Sequence, residues 1–380
     1  MPSGDNTGMS AHRPHRSKQR LRGWIALVGA SFGLVLAITL PARGAPMGRA
    51  AAPSGASTQG PGYEARADVA TFVRDIVQRH PELDEEVVAT TLSEARYQPQ
   101  VAKFILPAAS SAAKNWKVYR SRFLDTLRVR EGVTFWRDNE RWLRQAEERW
   151  GVPARVIVAI IGVETVYGRQ TGGFRAVDAL ATLAFDFPRG RSDRSEFFRD
   201  ELEALFALAS RDKVNPLSLK GSYAGALGMP QFMPSTWLKF AIDFDGDGRI
   251  DLQRSTPDVI GSVANYLAGH GWVKGMPTHY DVLPPGTEAD REVLLAPDIL
   301  PSFTATELGE RGALLSPAGQ QHTGKLALVE LRNGVEAPSF VAGTDNFWVI
   351  TRYNWSAYYA MAVIDLSESL AALKTVADNR

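Results

Sequence analysis

The chain has 380 residues, of which 44% are hydrophobic and 22% charged, so it can bury one large core or two or three smaller ones. Its 43 Lys and Arg residues nearly balance its 42 Asp and Glu residues, which argues against a nucleic-acid-binding protein because such proteins carry a basic excess. The sequence contains no cysteine, which excludes disulfides, thiolate catalysis, cysteine-ligated zinc and lipid attachment at a cysteine.

Residues 1–45 carry an export pattern. Basic residues come first, namely Arg13, Arg16, Lys18, Arg20 and Arg22. The uncharged run 24–40 and several small residues follow, which predicts a secretory signal. An uncleaved inner-membrane anchor is the alternative, since the run is close to the shortest length that spans a bilayer. Residues 46–62, rich in Ala, Gly, Pro and Ser, predict a flexible linker.

Apolar residues then recur at three- and four-residue spacings, which predicts amphipathic helices. The predicted helices are Ala67–Arg79, Glu85–Glu94, 134–150, 195–209, 262–268 and 358–372. Pro153 begins a further helix, and the almost wholly apolar segment 156–163 predicts that this helix is buried. The stretch 277–345 contains many Pro and Gly residues, a strand-like run at 325–331 and an Asn333-Gly334 turn, so it predicts a small β-rich insertion.

A single carboxylate, Glu164, ends the apolar run of the buried helix. Burial disfavours the charged form, so the pKa of Glu164 is expected to be raised and the side chain to hold a proton near neutral pH. A general acid for a sugar leaving group needs that property. The alternative is a structural glutamate that pairs with Arg169 or Arg175.

A second informative segment is 221–237, which is rich in glycine and other small residues. Small residues let a long polymer approach the backbone closely. Ser222 and Gln231 supply hydrogen-bonding groups, while Tyr223 and Trp237 offer faces on which sugar rings stack. A tight turn packed under a helix is the alternative.

Long ordered segments of the chain resemble the type-B membrane-bound lytic murein transglycosylases, over roughly residues 63–375. The segments are I-I-G-V-E-T (160–165), D-A-L-A-T-L (178–183), S-Y-A-G-A-L-G-M-P-Q-F-M-P-S (222–235), I-G-S-V-A-N-Y-L (260–267), H-G-W-V-K-G (270–275) and T-R-Y-N-W-S-A-Y-Y-A-M-A-V (351–363).

The resemblance implies an α+β fold that is mainly α, with a lysozyme-like helical core, an additional helical domain and a small β-rich insertion. The corresponding divisions are a helical domain at 63–145, the core at 146–276, the insertion at 277–345 and a C-terminal segment at 346–380 that returns to the core. The resemblance also implies a periplasmic protein, and the lack of cysteine makes it a non-lipoprotein member of that family.

The resemblance further implies cleavage of the β-1,4 bond between N-acetylmuramic acid and N-acetylglucosamine in peptidoglycan glycan strands, with Glu164 as the catalytic residue. The positions that it assigns to substrate contact are Ser222, Gln231, Asn354, Tyr359, Tyr353 and Tyr119, in addition to Tyr223 above. Ser222, Asn354 and Tyr359 have structural roles as their alternative. No catalytic cofactor and no nucleic-acid partner is expected, and the chain is expected to act as a monomer.

Most glycosidases use two carboxylates, whereas the motifs here offer only Glu164. Asp178 lies in an apolar helical stretch and is expected to cap or pair locally. A single acid/base suits a lytic transglycosylase, in which the muramic acid 6-hydroxyl attacks C1 and a 1,6-anhydro sugar forms. A lysozyme-like muramidase that hydrolyses the same bond and a non-catalytic peptidoglycan-binding scaffold are the alternatives.

The segment 243–251 resembles the start of an EF-hand calcium loop. The predicted ligands are the carboxylates of Asp243, Asp245 and Asp247 and the backbone carbonyl of Arg249. The twelfth position is Arg254 instead of the usual glutamate, and the resemblance assigns the closing ligand to Asp258. We expect a structural Ca²⁺ here, with a metal-free surface turn as the alternative.

Overall fold

The computed structural model describes residues 62–106 and 114–378. The predicted signal at 1–45 and nearly all of the predicted linker therefore lie outside the described residues. Within the described ranges, no helix combines the length and the apolar character that crossing a bilayer requires.

The described chain is mainly helical. The helices are α1 (Ala67–Arg79), α2 (Glu85–Glu94), α3 (Pro99–Phe104), α4 (Trp116–Ser121), α5 (Thr126–Asp138), α6 (Glu140–Trp150), α7 (Ala154–Thr165), α8 (Ala176–Phe185), α9 (Ser195–Arg211), α10 (Pro234–Phe240), α11 (Thr256–Gly269), α12 (Glu288–Leu295), α13 (Ala305–Glu310), α14 (Pro317–Gln320), α15 (Asp345–Thr351) and α16 (Ala357–Asp378). The strands are β1 (Phe174–Arg175), β2 (Lys220–Gly221), β3 (His279–Leu283), β4 (Leu314–Leu315), β5 (Ala327–Asn333) and β6 (Glu336–Gly343).

Most of the predicted helices are confirmed, and one is wrong. Helices α1 and α2 have the predicted bounds, while α9, α11 and α16 extend beyond theirs. The predicted helix 134–150 is two helices, because the chain leaves the helical conformation at Asn139 (φ −119°, ψ 20°). The Asn139 side-chain amide donates to the Phe135 carbonyl at 2.9 Å, an arrangement in which a side chain competes with the helical hydrogen bonds.

Helix α7 is the centre of the main core and packs against α5, α6, α11 and α16. Ile157, Ile160 and Ile161 are 0% exposed, which confirms the predicted burial of this segment. Burying each such side chain contributes about 1.5–3 kcal/mol. The same apolar core continues from Tyr63 to Leu370, and the division of the helical part into 63–145 and 146–276 stays a prediction.

The sheet of the insertion is antiparallel, with the strand order β4-β3-β6-β5. Val329 in β5 faces Val341 in β6, and a β-bulge lies between Leu331 and Asn333. A separate apolar cluster, which includes Leu308 and side chains of β3, β5 and β6, packs beneath it. The sequence interpretation missed α12 and α13, although the Thr304-x-x-Glu307 capping box of α13 is present in the sequence.

The ring of Tyr167 packs between helices α5 and α7, and each helix has a glycine where the ring contacts it. A Cβ at Gly132 in α5 would lie 2.2 Å from the Tyr167 hydroxyl oxygen, and one at Gly162 in α7 would lie 2.4 Å from it. Contacts this short are repulsive, so the close approach of the Tyr167 ring requires glycine at both positions.

We expect Gly162→Ala to lower the free energy of unfolding by about 1–3 kcal/mol, because the new methyl group overlaps the Tyr167 side chain. Alanine at an open helical position adds about 0.5–1 kcal/mol instead. Gly309 in α13 is a matched control, since a Cβ there would meet no atom within 4 Å. Urea denaturation compares the two variants, and wild-type stability of Gly162→Ala would contradict this packing.

Candidate active site

Glu164 lies in the last turn of α7, which ends abruptly after it. Val166 and Tyr167 both adopt left-handed backbone conformations, with φ of 50° and 58°. Such conformations cost about 1–2 kcal/mol per non-glycine residue and persist where the surrounding structure holds them. The Thr165 hydroxyl donates to the Met229 carbonyl at 2.8 Å, which ties the helix end to the 221–233 segment. Backbone strain is therefore concentrated beside Glu164.

Glu164 is a buried residue, with 8% of its surface exposed. The Tyr359 hydroxyl donates a hydrogen bond to Glu164 Oε1 at 2.5 Å. Burial raises the pKa of Glu164 from 4.5 to about 7, and the hydrogen bond from Tyr359 offsets only part of that rise. Glu164 is thus poised to exchange a proton near neutral pH.

The ion pairs that would make Glu164 a structural residue are absent from the described part of the chain. Arg169 pairs with Glu131 at 2.5 Å, and Arg175 pairs with Asp178 at 2.8 Å. The prediction that Asp178 pairs locally is therefore confirmed. No guanidinium or ammonium group compensates the Glu164 carboxylate among the described residues, so desolvation acts on it without an opposing charge.

Glu164 lines a cavity of about 310 Å³ between α7, α9, α10 and the segment that joins α15 to α16. The structure brings several residues that the sequence assigned to substrate contact into its wall. These are Ser222, Gln231, Tyr353 and Asn354. Tyr359 reaches Glu164 by its hydrogen bond.

Hydrogen bonds to the backbone hold the side chains of Ser222 and Gln231 in place. Ser222 Oγ accepts from two backbone N–H groups at 3.1 and 3.3 Å. Gln231 has a left-handed φ of 51°, and its side-chain amide donates to the carbonyls of Thr171 and Gly228 at 3.1 and 2.9 Å. The hydroxyl hydrogen of Ser222 and the amide oxygen of Gln231 make no hydrogen bond among the described residues, so they are available to a ligand.

The aromatic wall of the cavity contains buried polar atoms. The Tyr353 ring stacks on Tyr359, with centroids 6.5 Å apart, and meets the Tyr266 ring edge-on at 4.7 Å. Tyr353 Oη and Asn354 Oδ1 are buried without a hydrogen-bond partner in the described ranges. Leaving such a group unsatisfied costs about 1–3 kcal/mol, which a hydroxyl-rich ligand would offset.

This cavity is not lined by Tyr119, Tyr223 or Trp237. Burial and, after it, the nearby Glu164 carboxyl raise the pKa of Tyr119. Tyr119 lines a neighbouring cavity of about 550 Å³, which shares Trp355 with the first. Tyr223 packs edge-on against Phe104 at 5.7 Å. Trp237 is only 4% exposed, so the expectation that its face is open to sugar rings is wrong. Apolar packing against the core holds it there.

The sequence interpretation missed a second buried carboxylate in the cavity wall, Glu201 of α9, which is 4% exposed. Its two oxygens accept hydrogen bonds from the Ser235 backbone N–H at 2.9 Å and from the Ser235 hydroxyl at 2.7 Å. Burial raises the pKa of Glu201. Its place on the apolar face that carries Phe198, Leu202 and Leu205 was visible in the sequence. Glu201 therefore anchors the start of α10.

The loop after α10 brings three carboxylates together. Oxygen atoms of Asp243, Asp245 and Asp258 lie within 4.8 Å of one another. Asp247 is not part of this group, and its carboxylate accepts from the Arg249 backbone N–H at 2.8 Å. Burial raises the pKa of Asp258, the backbone N–H groups of Asp251 and Phe244 partly offset this rise, and the carboxylates of Asp245 and Asp243 add to it. A hard divalent cation fits these oxygen donors.

Comparisons with known proteins cover most of the described chain. The family described as Transglycosylase SLT domain matches residues 64–368. The chain is 36% identical over 317 residues to Membrane-bound lytic murein transglycosylase B of Escherichia coli (strain K12), across 79% of this chain and 81% of that protein.

Solved structures show the same extent of similarity. Soluble lytic transglycosylase SltB1 from Pseudomonas aeruginosa is 39% identical with a TM-score of 0.73, covering 81% of this chain and 99% of that one. The Escherichia coli lytic transglycosylase Slt35 in complex with calcium is 36% identical with a TM-score of 0.70, covering 83% and 97%. The predicted fold class, mainly helical with a lysozyme-like core, is confirmed.

The raised pKa of Glu164 makes the stability of the protein depend on pH. The folded-state pKa of about 7 exceeds the ordinary value of 4.5, so the contribution is fully present below pH 4.5 and is lost as pH rises towards 7. We expect Glu164→Gln to increase the free energy of unfolding at pH 8 by about 2–3 kcal/mol, because the buried charge is removed.

At pH 4 the same substitution is expected to bring no such gain, because wild-type Glu164 is then neutral. Chemical denaturation at the two pH values measures both differences. Glu148→Gln, at an exposed position of α6, is the matched control. A Glu164→Gln variant that is less stable than the wild type at pH 8 would contradict the burial argument.

Proposed function

Because the chain belongs to the Transglycosylase SLT domain family and is a lytic murein transglycosylase, we propose that the Glu164 carboxyl is the acid and the base of its reaction. The observation that carries this proposal is a buried carboxyl with a pKa of about 7 in a cavity lined by hydrogen-bonding groups. A general acid works best when its pKa lies near the operating pH.

The first step breaks the bond between C1 of N-acetylmuramic acid and the glycosidic oxygen. Glu164 donates its proton to that oxygen, which leaves with the electron pair of the broken bond. Tyr359 holds Oε1, so Oε2 is the oxygen that carries the transferred proton. The positive charge that develops at C1 is stabilised by the N-acetyl group of the substrate.

The second step closes the anhydro ring. The Glu164 carboxylate removes the proton of the muramic acid 6-hydroxyl, and the 6-oxygen bonds to C1. The product is a 1,6-anhydromuramic acid end, and no water is consumed. Glu164 regains its proton and is ready for another cycle.

One carboxylate performs both steps. Glu201 is the other carboxylate of the cavity wall, and Ser235 occupies both of its oxygens. Glu201 is therefore a positioning residue for α10, not the second carboxylate that most glycosidases use. Ser222, Gln231, Tyr353 and Asn354 contact the sugars beside the scissile bond.

The glycan strand extends past the first cavity. The two cavities that share Trp355 offer a path for consecutive sugars, with Tyr119 at the second. Two of the predicted contacts, Tyr223 and Tyr359, line neither cavity, and Tyr359 reaches the site through its hydrogen bond to Glu164. We propose that the chain acts as a monomer in the periplasm, after export by the signal at 1–45.

We expect Glu164→Gln to lower the rate of glycan cleavage at least about a hundredfold, because the proton donor is lost, while binding of the strands persists. Glu148→Gln keeps wild-type activity. Mass spectrometry of digested murein measures the products, since an anhydro end lacks the water that a reducing end contains. Reducing ends alone would assign a muramidase, and substantial cleavage by Glu164→Gln would remove Glu164 from the reaction.

We propose a structural Ca²⁺ in the loop after α10, held by Asp243, Asp245 and Asp258. These carboxylates converge, and no lysine or arginine in the described ranges pairs with them, so a hard cation offsets their repulsion. Asp247 and the Arg249 carbonyl remain proposed ligands. The ion supplies no proton and takes no part in the two steps above.

Calcium is expected to raise the melting temperature, since binding to the folded state adds about 2.7 kcal/mol when free Ca²⁺ exceeds Kd a hundredfold. Asp245→Asn is expected to reduce this increase strongly. Asp138→Asn, at an exposed position of α5 far along the chain, is the control. Differential scanning fluorimetry with Ca²⁺ or a chelator measures the shift, and equal melting temperatures in the two conditions would contradict the site.

A further inference from the structure

Arg352 is held at both its backbone and its side chain on the wall of the Glu164 cavity. The Tyr266 hydroxyl donates to the Arg352 carbonyl at 2.6 Å. The guanidinium carbon lies 5.1 Å from the Trp348 ring centroid and 5.5 Å from the Trp355 centroid. Such cation–π contacts orient a guanidinium group without using its N–H donors.

The N–H donors of Arg352 have no acceptor in the described part of the chain. Its guanidinium forms no ion pair and no side-chain hydrogen bond there, in contrast to Arg169 and Arg175. The two carboxylates of the same cavity have other donors, because Glu164 accepts from Tyr359 and Glu201 accepts from Ser235. The cavity therefore contains an oriented cation whose donors are free.

We propose that Arg352 binds a carboxylate carried by the muramyl unit of the glycan strand, and this inference rests on the proposed function. A guanidinium group matches a carboxylate with two parallel N–H···O hydrogen bonds. Muramic acid differs from N-acetylglucosamine by its lactyl group, which ends in a carboxylate or continues into a peptide that bears carboxylates. Arg352 is thus a specificity-determining residue that distinguishes muramyl strands from chitin.

The test measures Kd by isothermal titration calorimetry in the Glu164→Gln background. The probes are murein strands freed of peptide, which expose lactyl carboxylates, strands that retain their peptides, and a chitin tetramer, which has neither. Arg352→Met removes the charge and the N–H donors and keeps an unbranched apolar side chain. Arg155→Met, at an exposed position of α7, is the matched control.

Arg352→Met is expected to weaken binding of at least one muramyl probe by about ten- to a hundredfold, the usual range for a charged hydrogen-bonded contact. The probe that loses affinity identifies the carboxylate, lactyl or peptide. Arg352→Lys is expected to recover part of the loss, since it keeps the charge. Binding of the chitin tetramer stays within about twofold of the parent.

Unchanged affinity for both muramyl probes would overturn the proposal. An equal loss for chitin, or the same loss in Arg352→Lys and Arg352→Met, would also overturn it and assign Arg352 to the shape of the cavity alone. Cleavage by the Glu164→Gln parent would contradict the proposed acid, whereas the affinities test only Arg352.

Discussion

The site depends on the burial of one carboxyl, that of Glu164, which no cation compensates within residues 62–106 and 114–378. Helix α7 carries Glu164 into the core because nearly all of its other side chains are apolar and buried, with the exposed Arg155 as the main exception. The helix ends at Thr165, one residue after Glu164, and the left-handed residues Val166 and Tyr167 then turn the chain away. Packing of α7 against four other helices supplies the energy that maintains both the strain and the desolvated carboxyl. The backbone strain and the buried carboxyl lower the stability of the fold, and they provide a proton donor that works near neutral pH.

The wall of the cavity also contains polar groups that lack partners within the described residues. Among the residues that the structure describes, Tyr353 Oη and Asn354 Oδ1 are buried without a partner, and the guanidinium of Arg352 is oriented by two tryptophans without an acceptor. The two buried oxygens are costly without a partner, and a carbohydrate that bears hydroxyls offsets this cost, while a carboxylate on it matches the guanidinium of Arg352. Glu201 illustrates the opposite case, since Ser235 satisfies both of its oxygens and leaves it a structural role.

The sequence predicted those helices that are specified by the spacing of nearby apolar residues. The periodic helices α1 and α2 and the buried helix α7 were recovered because apolar spacing specifies them. The break at Asn139 was missed because a side-chain hydrogen bond overrides the apolar period there. For the site, a carboxylate at the end of an apolar run indicated Glu164, and the resemblance supplied Tyr359 and Asn354. The hydrogen bonds between Glu201 and Ser235, and the one from Tyr266 to Arg352, join segments that are distant in the sequence. No local pattern contains such contacts.

The pH dependence of kcat/KM tests the central claim, that a protonated and buried Glu164 starts the reaction. We expect kcat/KM to fall as pH rises through about 7, the pKa of Glu164, because the proton donor is then lost. We also expect Tyr359→Phe to move this limb to higher pH, because the hydrogen bond from Tyr359 favours the carboxylate. A kcat/KM that stays constant from about pH 5 to pH 9, or a limb that Tyr359→Phe leaves in place, would contradict the account.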